Sequence, residues 1–353
     1  FEPSGTLRSV DGNAMTKSYD IAASASWEVD IFGKLTNAKR GAKAALEQSE
    51  AYRQAVQTQL IATIANSYYS LLMLDAQLDI SERTAAIWGE NVRAMKALKA
   101  AGDATELAVA QSEASKLSVD ASIASLRQQI DQMENTLTAL LGIAPQKIDR
   151  TTIGEQRFPT ELAAGVPLQL LQRRPDVRQS EAALAQAFYA TNAARAAFYP
   201  SITLSGSAGW TNAAGAAITN PGQWLFTAVG SLVQPLFNRG KNIANLRIAK
   251  AQQEEALLSF RQSLLDAGTD VNNALIQWQT ARQRQQIDQQ QILSLESTVR
   301  SSELLMQYSS QNYLEVLTAR QTLLQAELTA VSDRFDEIQG VINLYHALGG
   351  GAE

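Results

Sequence analysis

Activated side chains are scarce in this sequence. It holds no Cys and one His, His346, among 353 residues. That excludes a disulfide framework, a thiolate nucleophile and a His-rich metal site. Ser, Thr and Glu are plentiful, but hydroxyls and carboxylates without a base beside them form no hydrolytic constellation. No catalytic, cofactor-binding or metal-binding residue is therefore expected. The polar residues offer something else. Residues 196–210, AAFYPSITLSGSAGW, put Ser201, Thr203, Ser205, Ser207 and Gly209 on one side of an extended chain and Ile202, Leu204, Gly206, Ala208 and Trp210 on the other. Around a helix break, Tyr308, Tyr313, Glu315 and Arg320 can stack or form ion pairs. The first pattern suits a surface that faces water or a passing solute. The second suits a contact that opens and closes.

Composition narrows the partners. Charged residues make up 18% of the chain and the net charge is −5, with no stretch gathering the Lys and Arg that nucleic acid requires. No run of 18 apolar residues predicts a membrane-spanning helix. The opening FEPSGTLRSV has the features of neither a signal peptide nor a helix start, and is expected to continue something upstream.

The elements that must position these groups come from an internal repeat. DIFGKLTNAKRGAKAALEQ begins at Asp30 and PLFNRGKNIANLRIAKAQQEE at Pro235. An offset of 207 residues pairs Arg40 with Arg247, Lys43 with Lys250, Glu47 with Glu254, Asn66 with Asn273, Arg93 with Arg300, Arg127 with Arg334, and Leu141-Gly142 with Leu348-Gly349. Each copy reads as a helical hairpin. From about Lys241 to Gln307 there is no Pro and only Gly268 interrupts, which predicts a helix of about 100 Å. The return arms carry heptad seams: Val119, Ile123, Leu126, Ile130, Met133, Leu137 and Leu140 in one, and Leu314, Leu317, Leu324, Leu328, Val331, Phe335, Ile338, Ile342 and Tyr345 in the other. Breaks fall at 100–107 and 307–314. The expected divisions are a first repeat over 1–142, an irregular segment over 143–174, a second repeat over 175–349 and a tail over 350–353. In RRPDV, Pro175 and Asp176 suit the first turn of a helix that runs to about 197. Two shorter helices stacked end to end would match one long arm, giving a rod with an irregular belt.

Alternating stretches are expected at 19–31, at 201–210 and, less cleanly, at 223–237. Three or four strands are too few to make a soluble sandwich, in which apolar faces cover one another. In a membrane barrel the apolar face meets lipid and the polar face lines water. Tyr19 and Trp27 lie about 26 Å apart on one strand face, approaching the spacing of two aromatic girdles. Trp210 and Trp224 flank the intervening loop and suit the outer interface. Exposed sheet edges cannot exist in lipid, so a barrel requires several copies of the chain.

Several segments resemble the TolC-like outer membrane factors, in their NodT/OprM-like lipoprotein branch. They are RRPDVRQSEAALAQAFYATNAARAAFYPSITLSG, WEVDIFGK, VQPLFNRGK and YLEVLTARQTLL, and the resemblance covers nearly the whole chain. It implies a fold that is mainly α with membrane β: a long α-helical hairpin barrel plus a trimer-shared twelve-stranded β-barrel, built from two internal repeats. It implies a homotrimer in the bacterial outer membrane with its helical part in the periplasm. The implied partners are outer-membrane lipid, a periplasmic adaptor (membrane fusion protein) and an inner-membrane transporter of the resistance-nodulation-division (RND) type. Family members usually carry an N-terminal helix and first strand ahead of WEVDIFGK, and many a lipid-modified Cys; residues 1–353 hold no Cys, and whatever precedes Phe1 is left open. F-E-P-S at 1–4 echoes F-Y-P-S at 198–201, so the chain is expected to begin near the first strand. Where the family often has an Asp after YL-x-VL, this chain has Thr318.

The expected function is a passive exit duct of a tripartite efflux pump. Its periplasmic gate is expected at Tyr308, Tyr313, Glu315, Thr318 and Arg320, with Arg320 and Glu315, or their neighbours in the trimer, paired when closed. Adaptor docking is expected at Gly102, Asp103 and Ala104 in one turn and Ser309, Ser310, Gln311 and Asn312 in the other. Membrane-interface residues are Tyr19, Trp27, Trp210 and Trp224. The alternative is a soluble or surface coiled-coil scaffold, which explains the helices but not the strand faces.

Overall fold

The structure is a computed structural model that describes residues 2–4, 7–8, 16–17, 20–158, 173–211, 223–234, 238–308 and 313–351. It forms two compact units, Phe1–Ser49 with Gln179–Arg261, and Glu50–Arg178 with Gln262–Glu353. Each unit draws on both repeats.

In the first unit, β1 (Glu2–Ser4), β4 (Asp20–Val29), β5 (Ser201–Thr211) and β6 (Gln223–Val233) form an antiparallel sheet in the order β1-β4-β5-β6. A separate ribbon pairs β2 (Leu7–Arg8) with β3 (Thr16–Lys17). The register lines up like with like. Trp27, Leu204 and Gly230 form one row, and Val29, Ile202 and Leu232 another. On the opposite face run Ser24, Ser207 and Thr227, and Glu28, Thr203 and Ser231. A slip of one residue would interleave the two classes on every strand, so the alternation itself specifies this register.

Among the described residues five α-helices follow from uninterrupted helix-forming sequence: α1 (Lys34–Ala101), α2 (Glu106–Leu141), α3 (Pro175–Ala196), α4 (Lys241–Tyr308) and α5 (Tyr313–Ala347). α1 and α4 are 68 residues each, and the starts of the paired helices keep the 207-residue offset. So do the left-handed glycines that precede and close each hairpin, Gly33 with Gly240 and Gly142 with Gly349. Gly142 returns its N–H to Ala139 and Thr138, capping α2 as a left-handed glycine does. Pro175 opens α3, as its locked φ and missing N–H favour.

In the second unit the seam of α2 packs on α1: Leu71 and Leu74 meet Ile130 and Leu137, and Trp88 meets Val119 and Ile123. The α5 seam is buried in its middle, with Ile338 against Leu72 and Ile153. Its ends are exceptions to the expected seam. Leu314 lies exposed beside Glu315 in a groove, and Tyr345 is exposed with its ring against Gly350. Residues 143–158 are pinned to the hairpins rather than free. Arg150 bonds Asp75 and the buried Glu134, Arg334 donates to the Gln156 carbonyl at 2.8 Å, and Phe158 meets Tyr69 edge to face.

The RRPD stretch is a clamp. Arg174 is buried and donates to Asp176 (3.0 and 2.7 Å), to Asp270 (2.9 Å) and to the carbonyls of Ala267 (3.4 Å) and Ala347 (3.2 Å). One guanidinium thus joins the start of α3, the middle of α4 and the end of α5, where a cation also suits the helix dipole. His346 sits in its field, and burial, then the Arg174 charge, press its pKa below the usual imidazole value.

The two copies solve their closest helix approach differently. Where the first has Leu71 and Met133, the second has Trp278 and Gly340 at the same offset. A Cβ on Gly340 would lie 2.9 Å from the Trp278 nitrogen and 3.0 Å from its Cα. Gly340→Ala must push α5 off α4 and is expected to cost about 1–3 kcal/mol, a small residue enlarged in a packed seam. Thermal unfolding of the detergent-solubilised protein measures it, and an unchanged midpoint would refute the close packing.

Candidate functional site

Two regions carry the functional expectations, one in each unit. The sheet of the first unit is built so that its apolar row is uncovered. Trp27 is 64%, Phe226 77% and Leu232 68% exposed, on strands whose other rows are largely hydroxyls. β6 is less regular, with Val229 and Val233 exposed on the hydroxyl side, in line with its weaker alternation. A contiguous apolar face of this kind marks an interaction with something apolar. Among the described residues no helix is long and apolar enough to cross a membrane, so a membrane reading rests on the strands. Of the expected interface residues, Trp27 is exposed on the apolar row. Trp210 and Trp224 are register partners, described by backbone alone, and Tyr19 lies outside the described residues.

The strand-to-helix junction holds groups that the alternation did not flag. The Asp30 carboxylate accepts from the Leu35 N–H at 3.0 Å and the Thr36 N–H at 2.6 Å, capping α1 after the left-handed Gly33. Hydrogen bonding from Thr36 holds the Asp30 carboxyl below its ordinary value. Lys34 pairs with Glu28 at 2.9 Å. Phe32 and Tyr199 stack at 4.7 Å, both still exposed. Their signal in the sequence is an aromatic two residues after Asp30 in one copy and directly before Pro200 in the other, outside any alternating run.

The second region is the hairpin ends. α1 closes at Gly102 (φ 89°), with the Gly102 N–H on the Lys99 carbonyl and the Asp103 N–H on that of Leu98. Thr105 then caps α2, its hydroxyl accepting from the Ala108 N–H at 3.2 Å. Gly102 and Asp103 are exposed, Ala104 half-buried, and the ion pairs Lys96–Glu113 (2.7 Å) and Lys99–Glu106 staple the two arms. In the other hairpin Ser309, Ser310, Gln311 and Asn312 lie outside the described residues, and Tyr308 is described by backbone only.

The expected gate residues divide. Tyr313 points inward: its hydroxyl donates to Gln111 on α2, and its ring packs on the Met95, Ala108 and Val109 cluster. Arg320 also turns inward, onto Glu303 of α4, with its Nε buried and unpartnered. Within this chain Arg320 is therefore engaged by Glu303 rather than by Glu315. Five positions before Arg320, Glu315 sits on a different side of the α5 surface, where i and i+5 do not face each other. Glu315 and Thr318 are exposed and line a groove of about 570 Å³ with Leu295, Leu305 and Leu314. Glu303 and Gln111 were not anticipated. Each lies on another helix, reached only once the hairpins pack.

An uncovered apolar strand face joined to two duplicated helical hairpins defines a channel-type membrane protein rather than an enzyme or a soluble scaffold. The family model for outer membrane efflux proteins matches residues 4–143 and 166–350. The chain belongs to the outer membrane efflux protein family. It is similar to the cation efflux system protein CusC of Escherichia coli strain K12, 29% identical over 350 residues, covering 99% of this chain and 76% of that protein. It is 33% identical over 353 residues to the pyoverdine export outer membrane protein OpmQ of Pseudomonas aeruginosa, covering 99% of this chain and 73% of that one. A CusC crystal structure superposes with a TM-score of 0.92 at 29% identity, over 99% of this chain and 82% of that one. The chain is thus an outer-membrane channel of efflux systems, and the soluble-scaffold alternative is set aside.

Tyr313→Phe removes the hydroxyl that reaches Gln111 while keeping the ring in its cluster. The expected loss is about 1 kcal/mol of hairpin-to-hairpin contact. Hydrogen exchange of the α2 amides around Gln111 reads it, and equal protection in both proteins would show the bond to be idle.

Proposed function

We propose that three copies of this chain form the exit duct of a tripartite efflux pump, passing small molecules from a periplasmic assembly to the outside. The observation that carries the reading is the uncovered apolar row of a sheet whose outer edges are unpaired among the described residues. Unpaired strand edges are untenable in lipid, where every backbone N–H and C=O needs a partner. Four strands cannot close on themselves around a lumen, and three sets of four can. The hydroxyl rows then line the water-filled interior and the apolar rows meet the bilayer.

The helices of the three copies continue the duct into the periplasm, where an adaptor protein docks and an inner-membrane transporter of the resistance-nodulation-division type supplies the energy. The first turn, at Gly102, Asp103 and Ala104, and the second, at Ser309–Asn312, are the docking points. Tyr313 and Arg320 act as the closing contacts of the gate, through Gln111 and Glu303. Glu315 and Thr318 face the passage or the neighbouring copy, and Tyr308 belongs to the same end. Tyr19, Trp27, Trp210 and Trp224 anchor the sheet at the membrane surfaces. The relatives named above serve cations in one case and pyoverdine in another. A wide hydroxyl-lined duct fits that range, because such a lumen selects by size and wetness rather than by ligands.

Two outcomes are expected. Phe226→Lys, on the lipid row, should cost about 2–4 kcal/mol near the bilayer midplane and abolish the chemically crosslinked trimer from outer-membrane extracts. Recovery of a normal trimer would remove the barrel reading. Arg320→Ala combined with Tyr313→Phe should raise single-channel conductance in planar bilayers several-fold. An unchanged conductance would place the gate elsewhere.

A further inference from the structure

The α4–α5 seam of the second hairpin carries a layer of buried charge that its duplicate lacks. Asp288 on α4 is 7% exposed and Asp333 on α5 is 4% exposed. At the 207-residue offset these positions are Ser81 and Leu126, and the adjoining Gln285 and Glu337 are Leu78 and Ile130. In the first hairpin Leu78, Leu126 and Ile130 belong to the apolar clusters around Leu71 and Trp88, and Ser81 bonds its own helix at 2.7 Å. The same fold therefore has an apolar solution at this level, and the second copy replaces it with carboxylates.

Those carboxylates are short of counter-charge. From α4, Arg284 reaches Asp333 at 2.9 Å and Asp336 at 2.5 Å, while it is itself half in solvent. From α5, Arg334 is engaged by Glu337 and by the Gln156 carbonyl of the 143–158 segment. Gln285 donates to Glu337 at 2.8 Å and to the Asp333 carbonyl at 3.2 Å. From α1 the neighbour is Gln77, uncharged, on Ser332 at 3.0 Å, and farther along Arg83 and Glu296 act on Glu327. Arg284 is thus shared by Asp333 and Asp336, and Arg334 is taken by Glu337. Asp288 is left with one oxygen, Oδ2, buried and without a partner.

We infer that Asp288 and Asp333 form a proton-controlled lock between α4 and α5, closed when they share a proton and loosened when both are ionised. The unpartnered Oδ2 of Asp288 is where the shared proton completes a hydrogen bond. With both ionised, a buried like-charge pair remains across the seam, which is unfavourable in a low-dielectric interior. Burial is the main cause that raises Asp333 from the ordinary 3.8 to about 6, Arg284 opposes it, and Asp288 adds to it. The sign follows. Between about pH 4 and 6 the folded seam holds a proton that the separated helices release, so the seam weakens as pH rises through that window and stays weak above it.

The lock as a stability feature stands on its own. Its effect on the duct rests on the proposal that the second hairpin's end is the gate. Hydrogen exchange of the solubilised full-length protein at pH 5 and pH 8, corrected for intrinsic rates, should show protection of 281–296 and 326–341 falling about tenfold. The matching segments of the first hairpin, 74–89 and 119–134, should not change. Asp333→Asn should abolish the difference and hold the seam at its low-pH protection. If that variant fails to fold, loss of the protonated-carboxyl infrared band on raising the pH of wild type, with its midpoint moved to lower pH in Asp288→Asn, decides the same question. An equal fall in both hairpins, or a pH dependence that survives Asp333→Asn, would overturn the lock. A lock that passes these tests while planar-bilayer conductance is the same at both pH values would leave it standing and sever it from the gate.

Discussion

A strand in lipid must have both of its edges paired, and among the described residues the outer edges of this sheet are unpaired and its apolar face is uncovered. Water can satisfy free N–H and C=O groups and hydrocarbon cannot, so the sheet Glu2–Ser4, Asp20–Val29, Ser201–Thr211, Gln223–Val233 is unfinished as a membrane element until other strands join it. The helices show the same incompleteness at their own period. Leu258, Leu265, Ile276, Ile287 and Leu293 lie exposed along α4, apolar side chains that the chain's own packing leaves uncovered. Under the proposed trimer both deficits have one remedy, further copies beside each strand edge and each helix face.

Duplication explains how a chain of this size supplies matched parts. The 207-residue offset holds to the residue at the helix starts and at the left-handed glycines, the points where geometry tolerates least change. Between those points the copies diverge in compensating pairs. Leu71 with Met133 and Trp278 with Gly340 fill one approach with different divisions of volume. The irregular residues 143–158 follow the first hairpin alone, held by Arg150, while the end of the second hairpin meets the Arg174 clamp. Each of these connections is fixed by an arginine with several acceptors, which a lysine's single ammonium could not match.

Periodicity made most of this legible. Period 2 located the starts of three strands within a residue and their ends within about four, and the uninterrupted run from 241 to 307 located α4. The short pieces at 7–8 and 16–17 were not legible, because two residues carry no period. Contacts between helices were not legible either. Glu303 and Arg320 flank one turn, but their pairing depends on the rotation of two helices about their axes. Gln111 meets Tyr313 only because the two hairpins lie together. Asp333 falls two places from each neighbouring seam position, Val331 and Phe335, where a carboxylate reads as solvent-facing, yet the flanking helices bury it.

That burial bears on how the two hairpins share the work. An ionisable pair inside a helix seam is a poor way to hold helices together, since apolar residues of similar size usually do as well or better. Here the comparison lies within one molecule, with Leu78, Leu126 and Ile130 closing the first seam and Gln285, Asp333 and Glu337 the second. A seam of leucines responds weakly to pH, whereas a seam of carboxylates changes strength as protons come and go. Two hairpins with equal seams would move together or not at all. Under the proposed duct, unequal seams would let the first hairpin serve as a fixed stave while the second yields at the proposed gate.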